Sequence, residues 1–186
     1  LGYVEDVEFS MPHGFYDGSF ALVLACDTPD ATIRYTLDGT RPTSSYGSVY
    51  AAPITIATTT VVRAAAFKSG YTAGEPITST YIFLADVLAQ TDNQTARGFP
   101  DTWYAGASSS SSYDRRTRPA DYEMDPAVVG DPRIYTAMTS IPTVALTFAP
   151  NDLWSSSSGI YPNSIMRATS NIAWEKATSM ELIDPS

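Results

Sequence analysis

The stretch that decides the fold is DTPDATIRYTLDGTRPTSSYGSVYAAPITIATTTVVRAAAFKSGYTAGEPITSTYIF, residues 27–83. Near its start, ATIRYTLD alternates polar residues with the apolar Ile33, Tyr35 and Leu37. A period of two predicts a half-buried strand. Asp38 and Gly39 follow it and predict a tight turn, because glycine adopts a positive φ without a steric penalty.

Further strands are predicted on both sides of this turn. The runs that carry them are FALVLAC (20–26), ITIA (54–57), TVVRAAAF (60–67) and TSTYIF (78–83). Six or seven short strands spaced about ten residues apart are typical of an antiparallel sandwich. The sequence therefore predicts a mainly β protein, with an immunoglobulin-like β-sandwich over residues 1–84.

The same residues carry a family resemblance. TPDATIRYTLDG, the following PT, YAAPITI, TVVRAAAFKSG and the final Tyr81 resemble the chitobiase/β-hexosaminidase C-terminal domain, with Asp30 where glycine is usual. This resemblance implies a small immunoglobulin-like fold. It also implies a non-catalytic module that works outside the cytoplasm, either extracellular or at the cell surface.

Residues 85–186 have a different texture, being irregular and rich in serine. Asp125-Pro126 and Asp131-Pro132 each pair an N-cap acid with a proline suited to the first helical position, so one or two short helices are expected. Apolar residues near them would face a core. These are Val128, Val129, Ile134, Tyr135 and Met138.

Two or three strands are expected in the same half, which predicts a smaller, irregular β-rich region. IPTVALTF (141–148) has the composition of a buried strand, and GIY (159–161) and SMELID (179–184) are shorter candidates. GFPDTW, ADYEMDPAVVGDP, NDLW and WEKATSMELID resemble the stretch that precedes the kinase-like domain in bacterial surface proteins of the spore-coat CotH type. That resemblance implies a region that continues into further sequence.

Composition argues against several kinds of chemistry. His13 is the single histidine, so a Ser–His–Asp triad or a His/Cys zinc site is not expected. Asp121, Glu123 and Asp125 alternate and could present oxygens to Ca²⁺, but a solvated edge followed by an N-cap is the simpler interpretation. No enzyme activity, metal or cofactor is predicted.

Charge and hydropathy limit the partners. The net charge is −9 and no basic stripe is present, so nucleic acid is not an expected partner. Arg115, Arg116 and Arg118 form a short cluster typical of a solvated loop. No apolar run approaches the length of a membrane span. The single cysteine, Cys26, lies in an apolar run and is expected to be a buried thiol.

Aromatic and polar residues of the second half suggest contact with sugars. Trp103 and Trp154 are candidates for stacking on a polysaccharide, although burial in a core is the competing interpretation. Asn93 begins an Asn-Gln-Thr pattern and is a candidate for glycan attachment. The serine runs 108–112 and 155–158 are candidates for O-glycans or simply solvated loops.

The strand SMELID raises the question of assembly. With few strands around it, its edge would pair with another domain of the same polypeptide or with a neighbouring subunit. Three hypotheses result. The first is a non-catalytic structural or adhesive module of a large bacterial surface protein; the others are a subunit of a strand-exchanged, glycosylated filament and a carbohydrate-binding accessory module.

Overall fold

A computed structural model of the protein describes residues 2–104, 117–155, 157–161 and 175–185. It confirms a mainly β fold. The first half forms the strands β1 Glu8–Phe9, β2 Gly14–Phe15, β3 Phe20–Leu22, β4 Leu24–Ala25, β5 Thr32–Thr36, β6 Ser48–Val49, β7 Ile54–Ile56, β8 Thr60–Phe67 and β9 Ile77–Ile82.

These strands form a five-stranded sheet, in the order β2-β9-β8-β5-β6, and the pairs β1-β4 and β3-β7. Leu22 and Ile56 from β3 and β7 pack in one buried cluster with Val62 and Tyr81 from the five-stranded sheet. The predicted sandwich core therefore lies between the sheet and the two pairs. One ladder departs from the antiparallel prediction, since β2 pairs with β9 in parallel.

The apolar run FALVLAC forms two strands with different partners. Leu22 pairs with Ile54 in β3-β7, whereas Leu24 pairs with Phe9 in β1-β4. Between them Val23 is exposed, and its amide donates to Ser10 Oγ. The expectation that Cys26 is buried was wrong: this residue is half-buried, and its thiol donates to the Glu5 carbonyl.

The second half contains more helix than the one or two segments expected. Its elements are α1 Leu84–Leu88, a 3₁₀ turn at Thr95–Arg97, β10 Thr102–Tyr104, β11 Thr117–Pro119, α2 Pro126–Val129, α3 Ile134–Thr139, β12 Thr143–Thr147, α4 Pro150–Trp154 and β13 Ser179–Ile183. None of the helices in this description is long and apolar enough to cross a membrane.

One of the two predicted helix starts is confirmed. Asp125 caps α2 by accepting a hydrogen bond from the Ala127 amide at 2.8 Å, and proline stands at the first helical position. Asp131 does not cap α3. Its carboxylate instead binds the amide and guanidinium of Arg133, the residue before that helix, and this pairing lowers the pKa of Asp131.

Burial in the second half also differs from expectation. Val128 and Tyr135 are exposed rather than directed to a core, whereas the other apolar residues of α2 and α3 named above are half-buried. The IPTVALTF strand is not buried on both sides, because Val144 and Leu146 face solvent. The GIY segment forms a turn rather than a strand: the Ile160 amide donates to the Asp152 carbonyl.

Candidate functional site: the junction cleft

The second half is joined to the sandwich by a buried carboxylate. The side chain of Glu181 on β13 is 6% exposed. Its Oε1 accepts from the Thr80 amide at 2.9 Å, and its Oε2 accepts from the Thr80 hydroxyl. His13 Nδ1 lies 3.0 Å from the same Oε1. Glu181 therefore provides an acceptor for the Thr80 amide of β9, which the neighbouring strand β8 does not provide.

Strand alternation explains why a glutamate occupies this place. SMELID forms β13 as predicted and pairs along its whole length with β12. Glu181 and Ile183 point toward the sandwich and are buried, whereas Met180 and Leu182 point outward and are exposed. One edge of β13 is thus paired with β12 within the chain. The inward-pointing Glu181 gives β13 a polar contact with the sandwich.

A second close approach joins the two halves at the turn after β5. Gly39 has φ of +78° there, as its turn requires. A Cβ at this position would lie 2.5 Å from the carbonyl oxygen of Phe148, just after β12. The absence of a side chain at Gly39 allows the backbones to meet.

Between these two contacts lies a cavity of about 720 Å³, which we call the junction cleft. Its size is within the usual range for small-molecule sites. The residues that line it are 37–39, 58–61, Thr80, Ala96, Arg97, Phe99, 145–148, Pro150, Leu153 and Trp154.

One wall of the junction cleft is aromatic and apolar. The Trp154 ring lies 5.5 Å from the Phe99 ring and 5.0 Å from Tyr161, in tilted and edge-to-face arrangements. Phe99 also meets Tyr122 edge to face at 5.6 Å. Ring pairs in such tilted and edge-to-face arrangements attract each other beyond the burial of their area. The rings therefore form one packed apolar surface.

The other wall is polar and is formed mainly by the sandwich, with Arg97 from the second half beside it. Thr60 donates its hydroxyl proton to the Thr58 carbonyl, and Thr80 donates to Glu181, so both hydroxyl oxygens are left as acceptors. Asp38 and Arg97 line the same cavity with one charge of each sign. The cleft therefore has one apolar side and one side suited to hydrogen bonding.

The sequence-predicted sugar contacts are not brought together. Trp154 lines the junction cleft and is half-buried. Trp103 lies in β10, paired with Arg118 of β11, and its side chain is outside the described part of the structure. Asn93 is exposed, and its Oδ1 accepts from the amide and hydroxyl of Thr95.

Residues 11–79 match the family model of the chitobiase/beta-hexosaminidase C-terminal domain. That domain is a non-catalytic, immunoglobulin-like module, and the match runs from just before β2 into β9. No curated protein and no solved structure matched the chain. The match does not extend to the second half, so its similarity to the CotH-associated stretch remains a hypothesis.

The sandwich has a second cavity, of about 760 Å³, whose basic residues already have partners. Arg34 donates to the Gly47 carbonyl and Lys68 to the Pro29 carbonyl. Arg41 pairs with Glu75 at 2.6 Å, and this hydrogen bond lowers the pKa of the carboxyl. Each of these cations is already engaged by the protein, so the cavity is poorly suited to bind an anion.

Titratable groups near the junction give no sign of a metal centre. Within the described ranges, no group of three or more His, Cys, Asp or Glu side chains could hold an ion. Asp121, Glu123 and Asp125 are all exposed. Arg118 is exposed as well, whereas Arg115 and Arg116 lie outside the described residues.

Sequence reasoning missed the residues that build the junction. Thr80 and Glu181 are far apart in sequence, and no motif connects them. One signal was present: in SMELID a charged residue occupies the position that alternates with outward Met180 and Leu182. A glutamate on the inward face of a short strand indicates a buried polar partner.

Proposed function

We propose that the chain is a non-catalytic structural module of a bacterial extracellular or cell-surface protein. On this proposal the chitobiase-type sandwich (residues 1–84) and the second region (residues 85–186) are two units that act as one rigid spacer between other domains. The match of residues 11–79 to a non-catalytic domain supports the first unit.

The observation that carries the proposal is the buried Glu181 contact with Thr80. A surface protein built from flexibly linked modules would need no buried polar contact between them. A buried carboxylate with satisfied hydrogen bonds fixes one geometry, because any other arrangement leaves the charge or the amide unpaired. The junction therefore suits a spacer that holds its neighbours at a constant distance and angle.

Backbone ¹⁵N relaxation of the whole chain tests the rigid spacer. We expect amides of β8 and of β12 to report one rotational correlation time. Separate correlation times in the unaltered protein would overturn the proposal. Hydrolysis of aryl glycosides or of ATP by the purified chain would overturn its non-catalytic part.

A second candidate function, a subunit of a filament, is favoured by one surface of the ribbon β12-β13. Val144 pairs with Leu182 and Leu146 with Met180, and all four point to solvent with exposures between 55% and 71%. We call these four side chains the ribbon face. Contiguous apolar patches of this kind on soluble proteins commonly mark interaction sites.

The filament hypothesis predicts association that rises with concentration. Sedimentation velocity and negative-stain microscopy of the chain would show oligomers that grow into fibres. These fibres would form whether or not Asn93 carries a glycan. A monomer at every concentration that can be reached would remove this candidate and leave the spacer proposal intact.

A further inference from the structure

We propose that the junction cleft is a binding site for a neutral pyranose oligosaccharide. The site goes beyond the spacer function, because a rigid junction needs no cavity. It is built from both halves of the chain. It would therefore be complete only when β13 is docked on β9.

The two walls of the junction cleft match the two surfaces of a sugar ring. A pyranose presents an apolar face of C–H groups and a rim of hydroxyls. The packed rings of Phe99 and Trp154, with Leu153 and Pro150 beside them, offer an apolar surface for the C–H face. The polar wall offers hydrogen-bond partners for the rim of hydroxyls.

Hydrogen-bond capacity on the polar wall suits hydroxyl groups in particular. Thr60 and Thr80 use their protons within the protein and can only accept, so they need a ligand that donates. Arg97 can donate to a ligand oxygen. Asp38 can accept through Oδ2, because its Oδ1 already accepts from the amide and hydroxyl of Thr40. A sugar hydroxyl does both at once. A purely apolar ligand would desolvate these groups without replacing their bonds to water.

Charge argues for a neutral rather than an acidic sugar. The cleft contains one acid and one base, Asp38 and Arg97. The chain as a whole carries −9, so a polyanionic glycan would be repelled over long range. The other large cavity suits a neutral sugar less well, because its cations are already engaged within the sandwich.

Isothermal titration with soluble neutral oligomers of glucose, N-acetylglucosamine, xylose and mannose tests the site. The key variant is Ala96→Phe, because Ala96 is exposed, lines the cleft and can be enlarged to fill it without removing a contact. Its control is Ala137→Phe, at an exposed position of α3 outside the cleft. Circular dichroism of both variants verifies folding.

We expect at least one oligomer to bind, and Ala96→Phe to weaken it tenfold or more while Ala137→Phe leaves it unchanged. Trp154→Phe, which keeps an apolar ring, should weaken binding less than Ala96→Phe. Absence of binding to every oligomer at millimolar concentration would overturn the proposal. Binding that Ala96→Phe does not weaken would overturn it as well, and neither result would affect the spacer function.

Discussion

Glu181 is buried at a place where burial of a charge is costly, and its partners offset that cost. The Thr80 amide and hydroxyl and His13 Nδ1 surround the carboxylate. Open strand edges recruit other strands, and an inward-pointing charge is one way in which proteins protect them. Glu181 covers β9 at Thr80, the part of that strand that β2 does not reach, and attaches β13 to it.

The first prediction concerns removal of that carboxylate. Glu181→Ala leaves the Thr80 amide without its acceptor, which should lower the free energy of unfolding by about 2 kcal/mol or more. Glu181→Gln keeps an acceptor oxygen and should cost about 1 kcal/mol or less. Urea unfolding measures the difference, and amide exchange at Thr80 locates it. Glu123→Ala, at an exposed position, is the control and should change little. Equal stability of Glu181→Ala and the unaltered protein would contradict this role.

The second prediction concerns pH. Burial of Tyr81 raises the pKa of its phenol to about 12 from the usual 10.0. The unfolded chain therefore loses this proton before the folded chain does. The stabilisation is complete below pH 10 and is lost as pH rises toward about 12, by up to roughly 2–3 kcal/mol.

Thermal unfolding between pH 8 and pH 12 would show this loss. Tyr81→Phe removes the titration together with the hydrogen bond to the Met11 carbonyl. The variant should therefore be less stable at neutral pH but decline less steeply in the alkaline range. Parallel declines for both proteins would show that other groups dominate.

At the scale of elements, strands with a clear period of two could be predicted from the sequence. The strands with which they pair could not. The alternation around Ile33 and Tyr35 predicted β5, and both residues pack against the core. Leu37, predicted on the same face, follows the strand and is 48% exposed. The run FALVLAC reads as one strand, but it divides at Val23 because its halves pair with different neighbours. Pairing depends on contacts distant in sequence, and local pattern does not encode them.

The third prediction uses two glycines with the same backbone conformation. Gly39 and Gly70 both have φ of +78°, so alanine at either position incurs a similar backbone penalty of about 1 kcal/mol. Only at Gly39 would the new Cβ also lie 2.5 Å from the Phe148 carbonyl oxygen, whereas nothing lies within 4 Å at Gly70. Gly39→Ala should therefore destabilise the protein clearly more than Gly70→Ala.

Chemical denaturation of the two variants gives the comparison. The additional loss of stability in Gly39→Ala should be accompanied by faster amide exchange in β12, because the altered turn would push that strand away from the sandwich. The Gly70→Ala protein should keep the exchange pattern of the unaltered chain. Matching losses for both variants would mean that the turn and β12 are not in firm contact.

At the scale of the whole molecule, the candidate site could be predicted only in part. Trp154 was a candidate from its residue type alone, and the structure places it in the junction cleft. Phe99, Thr60 and Arg97 carried no signal, because they come from loops and strand ends that meet only when the two halves dock. The family resemblance covered the sandwich and gave no information about the surface on which the second half docks.

The last prediction concerns the ribbon face, where the molecule has apolar surface without a partner in the described residues. Two polar replacements on one strand, Met180→Ser with Leu182→Ser, keep the backbone of β13 and the inward Glu181 and Ile183 unchanged. If copies associate through this face, sedimentation velocity should show the double variant shifted toward monomer by tenfold or more in concentration. The matched control is Val23→Ser with Val49→Ser, which removes exposed apolar side chains from the sandwich instead. The hydrophobic contribution of a patch scales with the apolar area that it removes from water, so only the variant that alters the contact face should weaken association. Equal association of the two double variants would therefore place the contact elsewhere.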